Sequence, residues 1–235
     1  MLDNVAWSSL TGPHADRAVG AGSARRYAAD VAPFAGLADP GDPACWADLR
    51  DLLGPDDAVV VTAPRVTVPA GWRLVESVPG VQLVAERPLA GGRRALPGLR
   101  RLDADDPADV AAMLDLVRRT RPGPFFPRTA TLGTYLGVHS PDGELVAMAG
   151  ERMHPAGWTE ISAVCTDPAW QGHGYAAGLV AVVAAGITER GELPLLHTVA
   201  ANARAVGLYE HLGFTLRTTV DFVLVTQPGS SFTLP

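Results

Sequence analysis

The stretch "TDPAWQGHGYAAG", residues 166–178, sets Gly172, Gly174 and Gly178 at and just inside the start of an otherwise apolar, helix-like run. Three glycines there sacrifice about 2–3 kcal/mol of helix stability relative to alanine, so a compensating use is expected. Anion binding is one such use. Consecutive backbone N–H groups at a helix N-terminus, together with the positive end of the helix dipole, hold a pyrophosphate, and glycine leaves the approach of its oxygens open. Gln171 and His173 would add hydrogen bonds, and the amides from about Gly172 through Tyr175 to Ala176 would form the cradle. Two other readings compete. Gly172-x-Gly174-x-x-Ala177 after a strand also fits a dinucleotide-binding turn, but that turn wants an acidic residue about 20 positions on, and "LPLLHTVAAN" offers none. A tight strand-to-helix turn with glycines for packing alone is the third reading. A P-loop is excluded, because no Gly-Lys-Ser/Thr follows.

A second stretch separates these readings. Gln171-x-x-Gly174-x-Ala176, preceded by a strand and Pro168, resembles the acyl-CoA pyrophosphate motif of the GNAT superfamily of N-acetyltransferases. "NARAVGLYEHLGF", residues 202–214, resembles that superfamily's second signature of Asn, an Ala-rich turn, Leu-Tyr-Glu and Gly-Phe. The resemblance spans roughly residues 98–226 and is similar to the glycine N-acyltransferase-like branch in particular. Gln171 departs from the family, which often carries Arg there. The resemblance implies an α/β fold with a GNAT-type mixed, partly antiparallel sheet flanked by helices. It implies acetyl-CoA as co-substrate, no metal, and a small amine, amino acid or peptide as acceptor, attacked directly by a monomer or homodimer. A catalytically silent acyl-CoA-binding sensor is the alternative from another class.

Amine attack on a thioester needs a proton removed, because a primary amine with a pKa near 10 is mostly protonated at neutral pH. Glu160 is the first candidate for that base. It lies in the apolar strand "TEISAVCT", where alternation puts Glu160, Ser162 and Val164 on one face and where a carboxylate sits poorly. In the family a glutamate four residues before the oxyanion-binding backbone position acts as base, which maps to Glu160 and Val164; a solvent-facing strand-end glutamate is the alternative. Glu151 in "AGERM" is the rival base, and His154 and His197 are possible relays. Backbone N–H groups near Val164 or Cys165 would bind the oxyanion, with Thr166 alongside as a cofactor contact. Cys165 itself reads as a small buried hydrophobe. Spacing alone makes Tyr209 a core tyrosine. The resemblance instead makes it the acid facing the CoA sulfur, and makes Asn202 a cofactor contact rather than a plain helix cap. Phe125, Phe126 and Arg128 in "PGPFFPRT" fall where the family builds its acceptor site, and Arg128 could pair with a substrate carboxylate.

These residues must be held by alternating strands and helices. "GLRRLDA" predicts a strand, and Asp106 with Pro107 begins a helix over "DDPADVAAMLDLVRRT". Two strands flank Pro141–Asp142–Gly143. After the glycine stretch come a helix to about Arg190, the strand "LPLLHTVA", the helix "ARAVGLYEHLG" stopped by Gly213, and one or two strands in "FTLRTTVDFVLVTQ". The earlier part reads as a smaller α+β module. It holds a helix capped by Asp42, a buried strand "DAVVVTAP", and two strands about a Pro79–Gly80 turn in "WRLVESVPGVQLVAE". The expected organisation is a module at 1–86, a Gly/Pro/Arg-rich linker at 87–98, an acyltransferase domain at 99–228 and a tail at 229–235.

Composition limits the partners. A hydrophobic fraction of 47%, a charged fraction of 19% and a net charge of −6 over 235 residues describe a globular chain without a basic nucleic-acid surface. Short basic pairs at Arg93–Arg94 and Arg100–Arg101 read as solvated charges. Cys45 and Cys165 form no disulfide framework, so a reducing cytoplasm is expected. The start "MLDNVAWSSL" does not read as a leader, and the longest apolar run, residues 175–187, is too short to span a bilayer.

Overall fold

The computed structural model describes residues 1–87, 89 and 96–233. Most of the expected linker, with Arg93 and Arg94, and the last two residues of the expected tail lie outside the described residues. The first part of the chain forms α1 (Val5–Leu10), β1 (Ala24–Arg26), β2 (Phe34–Leu37), α2 (Pro43–Asp51), β3 (Ala58–Ala63) and β4 (Arg73–Val84). Then follow β5 (Leu99–Leu102), α3 (Pro107–Thr120), β6 (Tyr135–His139), β7 (Leu145–Glu151), β8 (Trp158–Thr166), α4 (Tyr175–Glu189), β9 (Leu193–Val199), α5 (Ala203–Leu212) and β10 (Thr215–Thr226). Asp42 and Asp106 each accept the backbone N–H two residues on, at 2.9 Å, ahead of a proline that has no N–H to leave orphaned. Each cap is worth about 1 kcal/mol.

The ten strands of the described residues join one mixed sheet, in the order β1-β2-β3-β10-β4-β9-β8-β7-β6-β5. Among them, only β2–β3 and β8–β9 run parallel. The last strand, β10, lies between β3 and β4, while β4 lies between β10 and β9, so the two parts of the chain interleave in the middle of the sheet. On α4 the buried positions Leu179, Val180, Val183, Ala184 and Ile187 recur at helical spacing and pack with Leu83, Ala147, Ile161 and Leu196 of the sheet. Gly178 serves this packing: a Cβ there would come within 2.7 Å of Leu96. Met113 and Leu116 of α3 cover Met148 and Cys165, and Trp46 and Leu49 of α2 cover Val59 and Val61.

The turn expected at Pro79–Gly80 is absent, because β4 is continuous through both residues. The Pro79 carbonyl accepts Ala200 N–H, so its missing N–H falls on the β9 side, beyond the last ladder pair Gly80↔Val199. Gly80 is required by packing, since a Cβ would meet the Phe222 ring at 2.2 Å.

Ser9 of α1 accepts the His154 N–H at 2.5 Å, and His14, four residues after α1, packs on the His154 ring in the segment after β7. His14 is buried, its Nδ1 lies 2.9 Å from the Tyr27 hydroxyl, and its ring centroid is 4.7 Å from that of His154. Burial first, then repulsion from His154 and Arg17, lowers the His14 pKa to about 4. An unfolded chain binds this proton from pH 6.5 downward while the folded chain refuses it, so stability falls as pH drops from 6.5 to 4. The loss expected from His14 is about 3 kcal/mol. Asp109, held near 2 by its hydrogen bonds from Arg100, acts only below its ordinary range. Burial lowers His154 and His139 as well, so all three histidines act in the same direction: thermal denaturation between pH 7 and 4 should show a falling Tm, and His14→Gln should reduce that slope in part.

Candidate active site

The strand β8 does not stay paired along its length. Its parallel ladder with β9 ends at Ile161↔Leu196, and its register with β7 jumps from Ser162 to Cys165. Ala163 and Val164 therefore stand outside both ladders, and Ala163 adopts φ +53°. A left-handed alanine costs about 1–2 kcal/mol, and here it opens the sheet. The opening leads into a cavity of about 1330 Å³, larger than the usual 300–1,000 Å³ of a single-ligand pocket.

At one end of this cavity lies the glycine stretch. Gly172 and Gly174 adopt φ +83° and +77°, which side chains rarely tolerate. Gly174 is the N-cap of α4 and no side chain caps the helix, so the first-turn amides of Tyr175, Ala176 and Ala177 keep no partner within it. Gln171, Gly172, Gly174, Tyr175 and Ala176 line the cavity. His173 does not. Its Nδ1 lies 3.1 Å from the carbonyls of Trp170 and Gln171, and its ring stacks on Tyr175. Positive charge comes from residues the sequence did not single out. Arg204 donates to Gln171 Oε1 at 2.9 Å, and Arg121 holds a left-handed conformation at the end of α3. Both line the cavity, and neither pairs with a carboxylate among the described residues.

Val164, Thr166, Asn202 and Tyr209 line the same space. The Thr166 hydroxyl is buried without a hydrogen-bond partner. Asn202 caps α5 through Ala205 N–H at 3.1 Å, so the helix-cap reading is also met. Tyr209 makes no hydrogen bond among the described residues; burial, then the charge of Cys165, pushes it up to about 12. Cys165 is pushed up to about 11 by burial, so it stays a thiol.

Glu160 departs from its expected position. It is fully buried and does not line the cavity. Its Oε2 accepts Arg152 Nε at 2.9 Å, and its Oε1 accepts Arg152 Nη2 at 2.7 Å and His197 Nδ1 at 2.8 Å. His197 Nε2 in turn lies 2.9 Å from Gln82 Nε2, and Gln82 Oε1 accepts Arg217 Nη1 at 2.8 Å. Gln82 can only donate through its nitrogen, so His197 carries its proton on Nδ1 and gives it to Glu160. Burial alone would raise the Glu160 carboxyl, but the Arg152 charge and the bonds from Arg152 and His197 hold it below the ordinary carboxylate range. A carboxylate so placed orients its neighbours, and it meets the cavity only through Arg152 and His197, which line it.

Three further expectations change. Glu151 is buried away from the cavity, bonded to Arg190 at 2.9 Å and to Thr134 N–H at 3.1 Å. Arg128 is exposed and faces Asp30 at 3.3 Å. Phe125 packs edge-on against Tyr135, whereas Phe126 lines the cavity. The signal for Arg152 was its place beside Glu151 in "AGERM", but spacing cannot show that its guanidinium turns inward.

Removing the Glu160 charge should leave Arg152 buried and uncompensated, at a cost of about 3–5 kcal/mol. Urea denaturation of Glu160→Gln should read that loss, and a paired Arg152→Met, Glu160→Leu variant should be less destabilised than the single change.

Comparison with known proteins agrees with this architecture. The family model described as FR47-like protein matches residues 135–223. A mycothiol acetyltransferase from Thermomonospora curvata is 31% identical over 167 residues, 70% of this chain and 51% of that protein, so the chain spans about half the length of this curated relative. A solved GCN5-related N-acetyltransferase from Kribbella flavida shares the fold at 20% identity, with a TM-score of 0.61 over 96% of this chain and 95% of that one. A solved GNAT-family protein from Novosphingobium aromaticivorans is 39% identical, covers 96% of this chain and 98% of its own, and superposes with a TM-score of 0.86. With two sequence signatures, a sheet opened along β8 and a relative of this identity matched nearly end to end, the chain belongs to the GNAT family.

Proposed function

We propose that the protein is an acyl-CoA-dependent N-acyltransferase, using acetyl-CoA and acting on a small amine by direct transfer. One observation carries this reading: the bare N-terminus of α4 and the unpaired Ala163–Val164 stretch open onto the same cavity, with room left for a second substrate. The name of the Thermomonospora relative agrees with acetyl transfer. The resemblance to the glycine N-acyltransferase-like branch remains part of the proposal.

Gln171, the amides from Gly172 to Ala176, and Arg204 would hold the pyrophosphate; Thr166 and Asn202 would meet the arm that follows. Acetyl-CoA supplies an activated acyl group as a thioester. The ammonium form first loses one proton to solvent; in the transfer a C–N bond then forms, a C–S bond breaks with the CoA thiolate leaving, and the nitrogen gives up its second proton. The backbone near Val164 binds the oxyanion. Glu160 is closed off, so the amine's proton leaves to cavity water and Glu160 acts by holding Arg152 and His197. Tyr209, with a pKa near 12, is a weaker acid than a thiol near 8.5. Its hydroxyl therefore stabilises the departing thiolate by hydrogen bonding and stays protonated throughout the working pH range.

CoA should raise the Tm of the wild type and not that of Gly174→Trp, whose side chain fills the cradle; an equal shift in both, or in neither, would remove the cradle. Release of free CoA thiol from acetyl-CoA against amines, amino acids and short peptides reads turnover, and tight CoA binding without turnover on any acceptor would favour the silent sensor. Tyr209→Phe should lower kcat by about 10²-fold with CoA affinity nearly unchanged. Unaltered turnover would take that role from Tyr209.

A further inference from the structure

Phe34, Val78, Phe126, Phe222, Leu224 and Phe232 give the cavity apolar walls, while Arg26, Asp56, Asp57 and Glu76 also line it. One buried cation enters this compartment. Arg152 lines it with only 9% of its side chain exposed, and its guanidinium lies 4.5 Å over the Phe34 ring. Two of its three nitrogens are fixed, with Nε and Nη2 both donating to Glu160. Its Nη1 has no hydrogen-bond partner among the described residues. The Tyr135 hydroxyl, within electrostatic reach of Arg152, is also buried and unpartnered. The other cation on this side, Arg26, is taken up by Asp57 at 3.3 Å and by the Leu52 carbonyl.

We infer that Arg152 Nη1 is the anchor for the carboxylate of the acceptor, and that the acceptor is a free amino acid with an apolar side chain. This rests on the acyltransferase reading and names its second substrate.

The chemistry favours that class over a plain amine. An unused arginine N–H held rigidly in an apolar wall lacks an acceptor, and a carboxylate supplies a charge-assisted one. The bidentate grip of Glu160 and the Phe34 ring fix the guanidinium, so little side-chain freedom is lost on binding. The Arg152–Glu160 pair is net neutral, and the amino acid enters as a net-neutral zwitterion whose ammonium gives its proton to solvent before attack. Position fits as well. Arg152 N–H bonds the Glu160 carbonyl at 3.0 Å, and Ala163, where the ladders part, lies three residues further along β8, about 10 Å at strand spacing. Arg152 and Ala163 line the same cavity, so an amino acid seated on Arg152 shares that cavity with the opening. The surrounding aromatic walls then take its side chain.

The test compares three forms of each of three acceptor skeletons on the wild-type protein with acetyl-CoA: L-leucine, L-phenylalanine and L-methionine, each with its amide and its decarboxylated amine. At least one free acid should exceed its amine in kcat/KM by about 10²-fold, and its amide by about tenfold. Arg152→Lys should cut the acid-over-amine ratio at least tenfold, and a ratio within one variant is unaffected by partial unfolding. Calorimetry without CoA should show the preferred acid binding to wild type and the matched amine failing to bind. Equal rates for acid, amide and amine, or no turnover of any panel acid, overturn the proposal, as does a ratio unchanged in Arg152→Lys. CoA thermal shift and thiol release with other amines report on the acyltransferase reading separately, so the two failures are distinguishable.

Discussion

A row of polar side chains crosses the centre of the sheet, from exposed Arg217 on β10 through Gln82 on β4, His197 on β9 and Glu160 on β8 to Arg152 just past β7, with the side chains buried from Gln82 onward. These strands are neighbours in that order. Each link is a hydrogen bond of 2.7–2.9 Å between adjacent strands. Polar groups in a low-dielectric interior are costly when unpaired and specific when paired. A one-residue slip of any of these strands would turn its member to the other face and strand the rest, so the row fixes register where apolar packing alone would tolerate alternatives. It reaches the chain start as well, since Arg217 meets Asp3 at 2.6 Å and Gln82 donates to the Leu2 carbonyl.

The same row sets what the cavity offers. Glu160 accepts four bonds, counting Met153 N–H at 3.3 Å, and has no lone pair to spare for solvent. It holds Arg152, which lines the cavity. The opening depends on a strained alanine, and that strain persists because the flanking pairs Met148↔Cys165 and Gly150↔Ser162 leave the intervening backbone no regular path. Rigid pairing on both sides of an irregular stretch gives backbone amides that water would otherwise take up.

Much of the scaffold was legible in the sequence because its signals are local. Aspartate-proline caps, Gly213 as a helix stop and the period of α4 each act within a few residues. Pro79–Gly80 misled because turn chemistry and close packing use the same residue types; only Phe222, 142 positions later, shows which applies. The glycine stretch was readable in part. Gly172 and Gly174 need left-handed backbone, while Gly178 answers to Leu96. At the candidate site, Tyr209 and the uncapped start of α4 both line the cavity, and both sit in contiguous sequence signatures. The fates of Glu160, Arg152 and Arg128 depend on which strand lies opposite, and a strand's neighbour is not written in its own residues.

The interleaving of β4 with β10 has a consequence for biogenesis. Residues 73–84 leave the ribosome long before residues 215–226, and until the latter arrive β3 and β4 each present an unpaired edge in the middle of the future sheet. The nascent chain thus carries its own vacant slot, open to any extended segment, until its last strand closes it.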